Sequence, residues 1–219
     1  FETAVIEKIQ KFIDVLKSAQ KISGVINSSN NAILNDNRDE HKSIDEFSPK
    51  SLFDIAITSP PYAMALPYID TQRLSLIWLS LCEPKEIRLL EAKLTGSREI
   101  NTKSKKQKAL ENLLINSNNL PAAVHNYCVR LQNAIGETDG FRRQAVPLLL
   151  YKYFTDMLLS FQTVSSKLKK GGHYALIVGQ NKTTLGGELF NIDTPEHLRI
   201  IAEGMGWETV DMIPLQTYK

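Results

Sequence analysis

The feature that most constrains the fold is a junction: the strand-like run Phe53-Asp-Ile-Ala-Ile-Thr58 leads directly into Ser59-Pro60-Pro61-Tyr62. After its aspartate the run is apolar on both faces, the pattern of a central parallel strand covered by helices on both sides. Proline has no N–H to continue a ladder, so the strand must end where the two prolines begin. Ligands of open α/β sheets gather at the carboxyl ends of strands. The same ten residues therefore point to an architecture and to a candidate site.

The rest of the chain fits an alternating pattern. Residues 2–20 place Val5, Ile9, Phe12, Ile13, Leu16 and Ala19 on one helix face, and residues 31–36 read as a short strand ending in polar groups. Helices are expected over 71–81, 104–114 and 151–170, the last closed by Lys169-Lys170-Gly171-Gly172, with cations and then glycine at its negative end. A strand is expected over 174–178. Thr194 with Pro195 is expected to start a helix that ends at Gly204-Met205-Gly206, and a last strand is expected over 208–213. Strands alternating with helices define an α/β fold.

Composition narrows the function. No apolar run approaches the roughly 20 residues of a membrane-spanning helix, so no membrane role is expected. Cys82 and Cys128 are far apart, and His41, His125, His173 and His197 have no metal-ligand spacing, so no metal is expected and surface or helix-end roles suit the histidines. A reducing, cytoplasmic setting fits this cysteine usage. Net charge is only +2, yet residues 83–143 hold 11 Lys and Arg against 7 Asp and Glu. That basic middle is either a phosphate-contacting surface or a solvated lysine-rich loop.

The proline junction suits one kind of chemistry. Both prolines have fixed φ and restrict the residue before them, so the turn is stiff and rich in acceptors. An exocyclic amine on a nucleobase is a poor nucleophile, because its lone pair is delocalised into the ring. Acceptors for its two N–H bonds, here Ser59 and the Pro60 carbonyl, would hold the nitrogen toward tetrahedral geometry and stabilise the charge developing on it. Tyr62 would stack on a base swung out of the helix. The residues alone leave open a plainer reading, a strand followed by a proline turn and a buried tyrosine.

The segment from Asp54 to Tyr62 resembles the catalytic motif of the DNA amino-methyltransferases, and its Thr-Ser-Pro-Pro-Tyr form is most similar to the cytosine-N4 enzymes, although some adenine enzymes share the serine. Residues 168–172 and 175–179 are similar to that family's Leu-Lys-Pro-Gly-Gly region, with Lys170 in place of the proline. Residues 68–81 look like the helix that follows the motif in one branch. The resemblance implies a partial Rossmann-like methyltransferase, α/β with a mostly parallel sheet flanked by helices and a helical insertion. Residues 1–82 and 147–219 would be the two parts of the catalytic domain and 83–146 the insertion. It implies Ser59, Pro60, Pro61 and Tyr62 as catalytic residues, S-adenosylmethionine as cofactor, and Asn35, Asp36, Thr58 and Ser59 beside that cofactor. DNA is the implied partner; from the positive excess of the segment 83–146 and its place beside the site, Lys103, Lys105, Lys106 and Lys108 are the first expected phosphate contacts, with Arg142 and Arg143 second. A restriction-modification or phage-defence system, with a restriction or specificity subunit, is the implied setting.

One part of the family pattern has no counterpart here. The glycine-rich loop expected around the methionine end of the cofactor is not found: Gly204-Met205-Gly206 ends a helix instead of following a strand, and Gly186-Gly187 has no helix directly behind it. The order of the retained pieces puts that loop before Phe1, and these 219 residues alone are then expected to hold the cofactor weakly. An RNA or protein amide methyltransferase, and a non-catalytic methyltransferase-like DNA-binding module, remain the alternatives.

Overall fold

In the computed structural model the described residues are 6–7, 10–11, 13–15, 17–18, 36–39, 52–64, 68–96, 100 and 102–215. They fall into two units, 1–34 and 35–219. In the first, every described residue is helical, within the helix expected over 2–20. The strand expected over 31–36 lies outside the described residues except for Asp36, which opens a turn.

The second unit contains β1 (Phe53–Thr58), α1 (Tyr68–Trp78), α2 (Ile87–Lys93), α3 (Lys103–Leu114), α4 (Ala122–Asn133), α5 (Phe141–Gln144), α6 (Val146–Lys167), β2 (Leu168–Leu176), β3 (Asn181–Leu185), β4 (Glu188–Ile192) and α7 (Thr194–Gly204). The longest element, α6, organises the core. Leu150, Phe154, Met157 and Phe161 recur at the three- and four-residue spacing of one helix face, and all are buried. Val124, Cys128 and Leu131 of α4 and Leu113 of α3 belong to the same apolar cluster, so residues 103–133 help to build the core. Burial pushes the Cys128 thiol up to about 12, so it packs as an inert small hydrophobe.

β1 and β2 pair in parallel, with Ala56 opposite Tyr174 and Thr58 opposite Leu176. Tyr174, Leu176 and Val178 pack against the core, and Ala56 and Thr58 share that face. The other face of β1 carries Ile55 and Ile57, which are 55% and 67% exposed. The expected cover on both faces of this strand is thus present on one face among the described residues.

The helices expected over 71–81 and 151–170 run over 68–78 and 146–167, and the strand expected over 174–178 runs over 168–176; three departures have a local reason. Helix α6 ends at Lys167 and Leu168 is already extended, so Lys169 to Gly172 are not its last turn. They form an irregularity in β2, where pairing jumps from Phe53–Leu168 to Ile55–His173 and Gly171 takes a φ of +78°. Helix α7 is capped by Asp193, whose carboxylate accepts from Glu196 N at 3.3 Å. A carboxylate at that position outcompetes the expected Thr194, which is fully buried instead. Among the described residues, 208–213 pair with no strand. At the end of α7 the Gly206 and Trp207 amides reach Glu203 O and Ala202 O, and Gly206 has a φ of +86°. This is the helix-terminating role expected of Gly204-Met205-Gly206.

The antiparallel β3–β4 hairpin was not expected. Gly186 and Gly187 form its turn with φ of +56° and +83°, the pair of positive values that a tight two-residue hairpin requires. His197 also departs from a surface role: it is buried, its ring 5.1 Å from Phe154 and 4.4 Å from Tyr127.

Candidate active site

β1 delivers Ser59 at its carboxyl end. Ile177 N donates to Thr58 O at 3.0 Å, extending the parallel pairing one step and bringing residues 177–181 beside the proline turn. Ser59 is exposed, and its hydroxyl donates to Ile177 O at 3.2 Å. With its proton directed into that carbonyl, the Ser59 oxygen faces any further partner as an acceptor. Pro60 is buried and Pro61 and Tyr62 are half-buried.

Since neither proline has an N–H, the next main-chain donor is Tyr62 N, which donates to the Tyr68 hydroxyl at 3.0 Å from the start of α1. Asn181 Nδ2 donates to Ala63 O at 3.0 Å from the start of β3. The Tyr62 ring lies against Gly179 so closely that a β-carbon there would sit 3.2 Å from Cε2. Gly96, with a φ of +77°, backs Pro61 in a similar way, its ideal β-carbon falling 3.4 Å from Pro61 Cβ. The turn is therefore fixed from α1, from the segment before α3, and from both ends of the β2–β3 connection.

Tyr68, Gly179 and Asn181 are site residues that sequence reasoning did not single out. Each acts across a long-range contact or a change of element, and no periodicity reports that. Replacing Tyr68 with phenylalanine keeps the ring and removes the acceptor of the Tyr62 amide. The expected result is a thermal midpoint lowered by a few degrees, since a half-buried amide left without its acceptor costs about 1–3 kcal/mol. An unchanged midpoint would show that the amide needs no acceptor there. Near Tyr68 lies Tyr153, whose hydroxyl is buried with no hydrogen-bond partner among the described residues. Burial first, and the neighbouring Tyr68 second, push its pKa up, so this phenol stays protonated.

Asp36 is placed on a different support. Arg38 grips both oxygens of its carboxylate, through Nε at 2.9 Å and a terminal nitrogen at 2.7 Å. The same guanidinium reaches Asp156 of α6 at 3.2 Å, and the hydrogen bond to Asp36 is the main cause that raises the Arg38 pKa. Asn37 also donates to Ser160 of α6. The 36–39 turn is thereby pinned to the core helix. Asn35 lies outside the described residues.

The two halves of the expected basic surface come together. Lys106 Nζ donates to Gln144 Oε1 at 3.0 Å and stands 5.3 Å from the centre of the Phe141 ring, joining α3 to α5. Lys103, Lys105, Lys108, Arg142 and Arg143 are exposed, and Lys106 is half-buried. Among the described residues no group of His, Cys, Asp or Glu side chains could hold a metal ion, and no helix is long and apolar enough to cross a membrane.

The chain is 26% identical over 179 residues to the Type II methyltransferase M.BsoBI of Geobacillus stearothermophilus. The aligned stretch takes in 76% of this chain but 34% of that protein, so the chain spans about a third of the relative's length. No family model and no solved structure matches the chain. The likeness is a distant one to a methyltransferase, and the α/β fold with a parallel strand pair is compatible with it.

Proposed function

We propose that this chain is the catalytic portion of an S-adenosylmethionine-dependent DNA amino-methyltransferase acting on cytosine N4 or adenine N6. The observation that carries the proposal is the state of Ser59: exposed at the carboxyl end of a parallel strand, its proton given to Ile177 O and its oxygen left as an acceptor. Ser59 and the Pro60 carbonyl take the two N–H bonds of the exocyclic amine, holding the nitrogen toward tetrahedral geometry as its positive charge develops. Tyr62 supplies the stacking surface for the flipped base. The distant likeness to a Type II methyltransferase supports the same reading, as does the basic α3–α5 surface, which would meet DNA phosphates.

The cofactor supplies an electrophilic methyl group. The described residues do not make a complete cradle for it: Asp36 is already held by Arg38, and Gly179 and Gly186–Gly187 lead into and turn a β-hairpin instead of opening a helix after a strand. The part assigned to this chain is therefore to hold and orient the base. A restriction-modification or phage-defence system, with a restriction or specificity subunit as partner, is the proposed setting.

The test uses the full-length protein with methyl-labelled cofactor and duplex DNA, followed by digestion to nucleosides. Label in N4-methylcytosine or N6-methyladenine supports the reading, while label in RNA or protein alone overturns it. A second measurement addresses the basic surface. Neutralising Lys103, Lys105, Lys106 and Lys108 together should weaken binding to all sequences alike, flattening log affinity against log salt by up to about 0.9 per lost contact. An unmoved slope would make the cluster a solvated face.

A further inference from the structure

Phe141 is 61% exposed at the start of α5. A single exposed hydrophobic residue is ordinary on a protein surface, but this one stands in a basic setting. Lys106 lies over its ring at 5.3 Å, and the exposed Arg142 and Arg143 follow it in sequence. Helix α3 holds its charge against its own stability. Lys103, Lys105 and Lys106 crowd the positive end of the helix with no acidic residue in the first turn. Lys103–Lys106 and Lys105–Lys108 are also like-charge pairs three residues apart. A polyanion laid along this face would relieve that repulsion.

We propose that Phe141 makes a base contact in duplex DNA, wedging at a base step while Lys103, Lys105, Lys108 and Arg142 meet the flanking phosphates. The proposal rests on the reading that this protein acts on DNA and adds the residue that touches bases away from the target. The fold sets the spacing. Strand β3 starts at Asn181, bonded to Ala63 beside the proline turn. It ends at the hairpin turn, where Gly186 N donates to Asp139 Oδ2 at 2.7 Å, two residues before Phe141. The five residue steps from Asn181 to Gly186 cover about 17 Å, so β3 separates the proline turn from the Phe141 end of the basic surface and Phe141 would contact bases away from the one held at Ser59.

The test titrates the full-length protein with a mixed-sequence duplex of about 30 base pairs, near three helical turns, at several salt concentrations. Phe141→Ala is expected to lower affinity about 5- to 150-fold, the range of one lost base–aromatic stack, with the salt slope unchanged. Phe141→Trp is expected to restore affinity and to show indole quenching on DNA addition beyond that of the wild type. Arg142→Gln is the contrasting control and is expected to flatten the salt slope. Wild-type affinity in Phe141→Ala, or Phe141→Trp without added quenching, overturns the wedge and leaves the DNA reading standing. A wild-type protein that binds no duplex overturns both.

Discussion

Replacing Ser59 with alanine in the full-length protein is expected, on the proposed function, to cut methyl transfer by more than tenfold, and by as much as about 10²–10³-fold. That is the loss seen when one hydrogen-bonding group aimed at developing charge is removed. Folding should hardly notice, because Ser59 is exposed and its one bond, to Ile177 O at 3.2 Å, is worth only about 0.5–1.5 kcal/mol. The thermal midpoint should stay within a few degrees. Tyr62→Ala should weaken capture of the flipped base, while Tyr62→Phe should keep much of the activity, since stacking needs the ring and not the hydroxyl. Rates equal to wild type in both alanine variants would remove the proline turn from the chemistry.

The largest effect on stability is expected at Gly186. A β-carbon there would fall 2.4 Å from Ala134 O, and the residue sits at a φ of +56°. Overpacking and a left-handed backbone together cost about 2–4 kcal/mol, enough to lower the midpoint of a domain this size by about 5–15 °C. Gly187→Ala is the internal control: its φ is +83° but nothing lies within 4 Å of the added carbon, so only the backbone cost applies.

The hydrogen bonds at the same turn make stability depend on pH. Asp139 accepts from Gly136 N at 2.8 Å and Gly186 N at 2.7 Å, and these amides hold its pKa below the usual aspartate value. A lowered folded-state pKa contributes stability that is fully present above the unfolded value. It is lost as pH falls through the folded one. The midpoint of the wild type should therefore drop in mild acid by an amount that Asp139→Asn no longer shows, because the amide has no charge to lose. Equal acid sensitivity in the two proteins would show that the carboxylate does not clamp the hairpin.

Helix α6 was legible in the sequence because a stripe such as Phe154, Leu158 and Phe161 needs only its own spacing to declare a buried face. The proline turn was legible for a stricter reason. Pro60 and Pro61 have no N–H to donate to a ladder whatever surrounds them, so β1 stops at Thr58 and leaves Ser59 at its edge. The hairpin at Gly186–Gly187 carries a signal too, two glycines between short runs that can pair.

What holds the turn could not be read in this way. The bonds from Tyr68 to Tyr62, from Asn181 to Ala63 and from Ser59 to Ile177 join elements with no shared local pattern. Two of them span 118 residues. Likewise Asp36, read from sequence as a strand end facing a cofactor, is held by Arg38 and through it by Asp156 of the core helix. Local stereochemistry, the missing N–H of proline and the spacing of apolar side chains, determined where the elements run and where the candidate site lies. Which carbonyl takes the serine proton, and which phenol holds the tyrosine amide, was decided by tertiary packing, because a hydrogen bond depends on distance in space and the sequence records only distance along the chain.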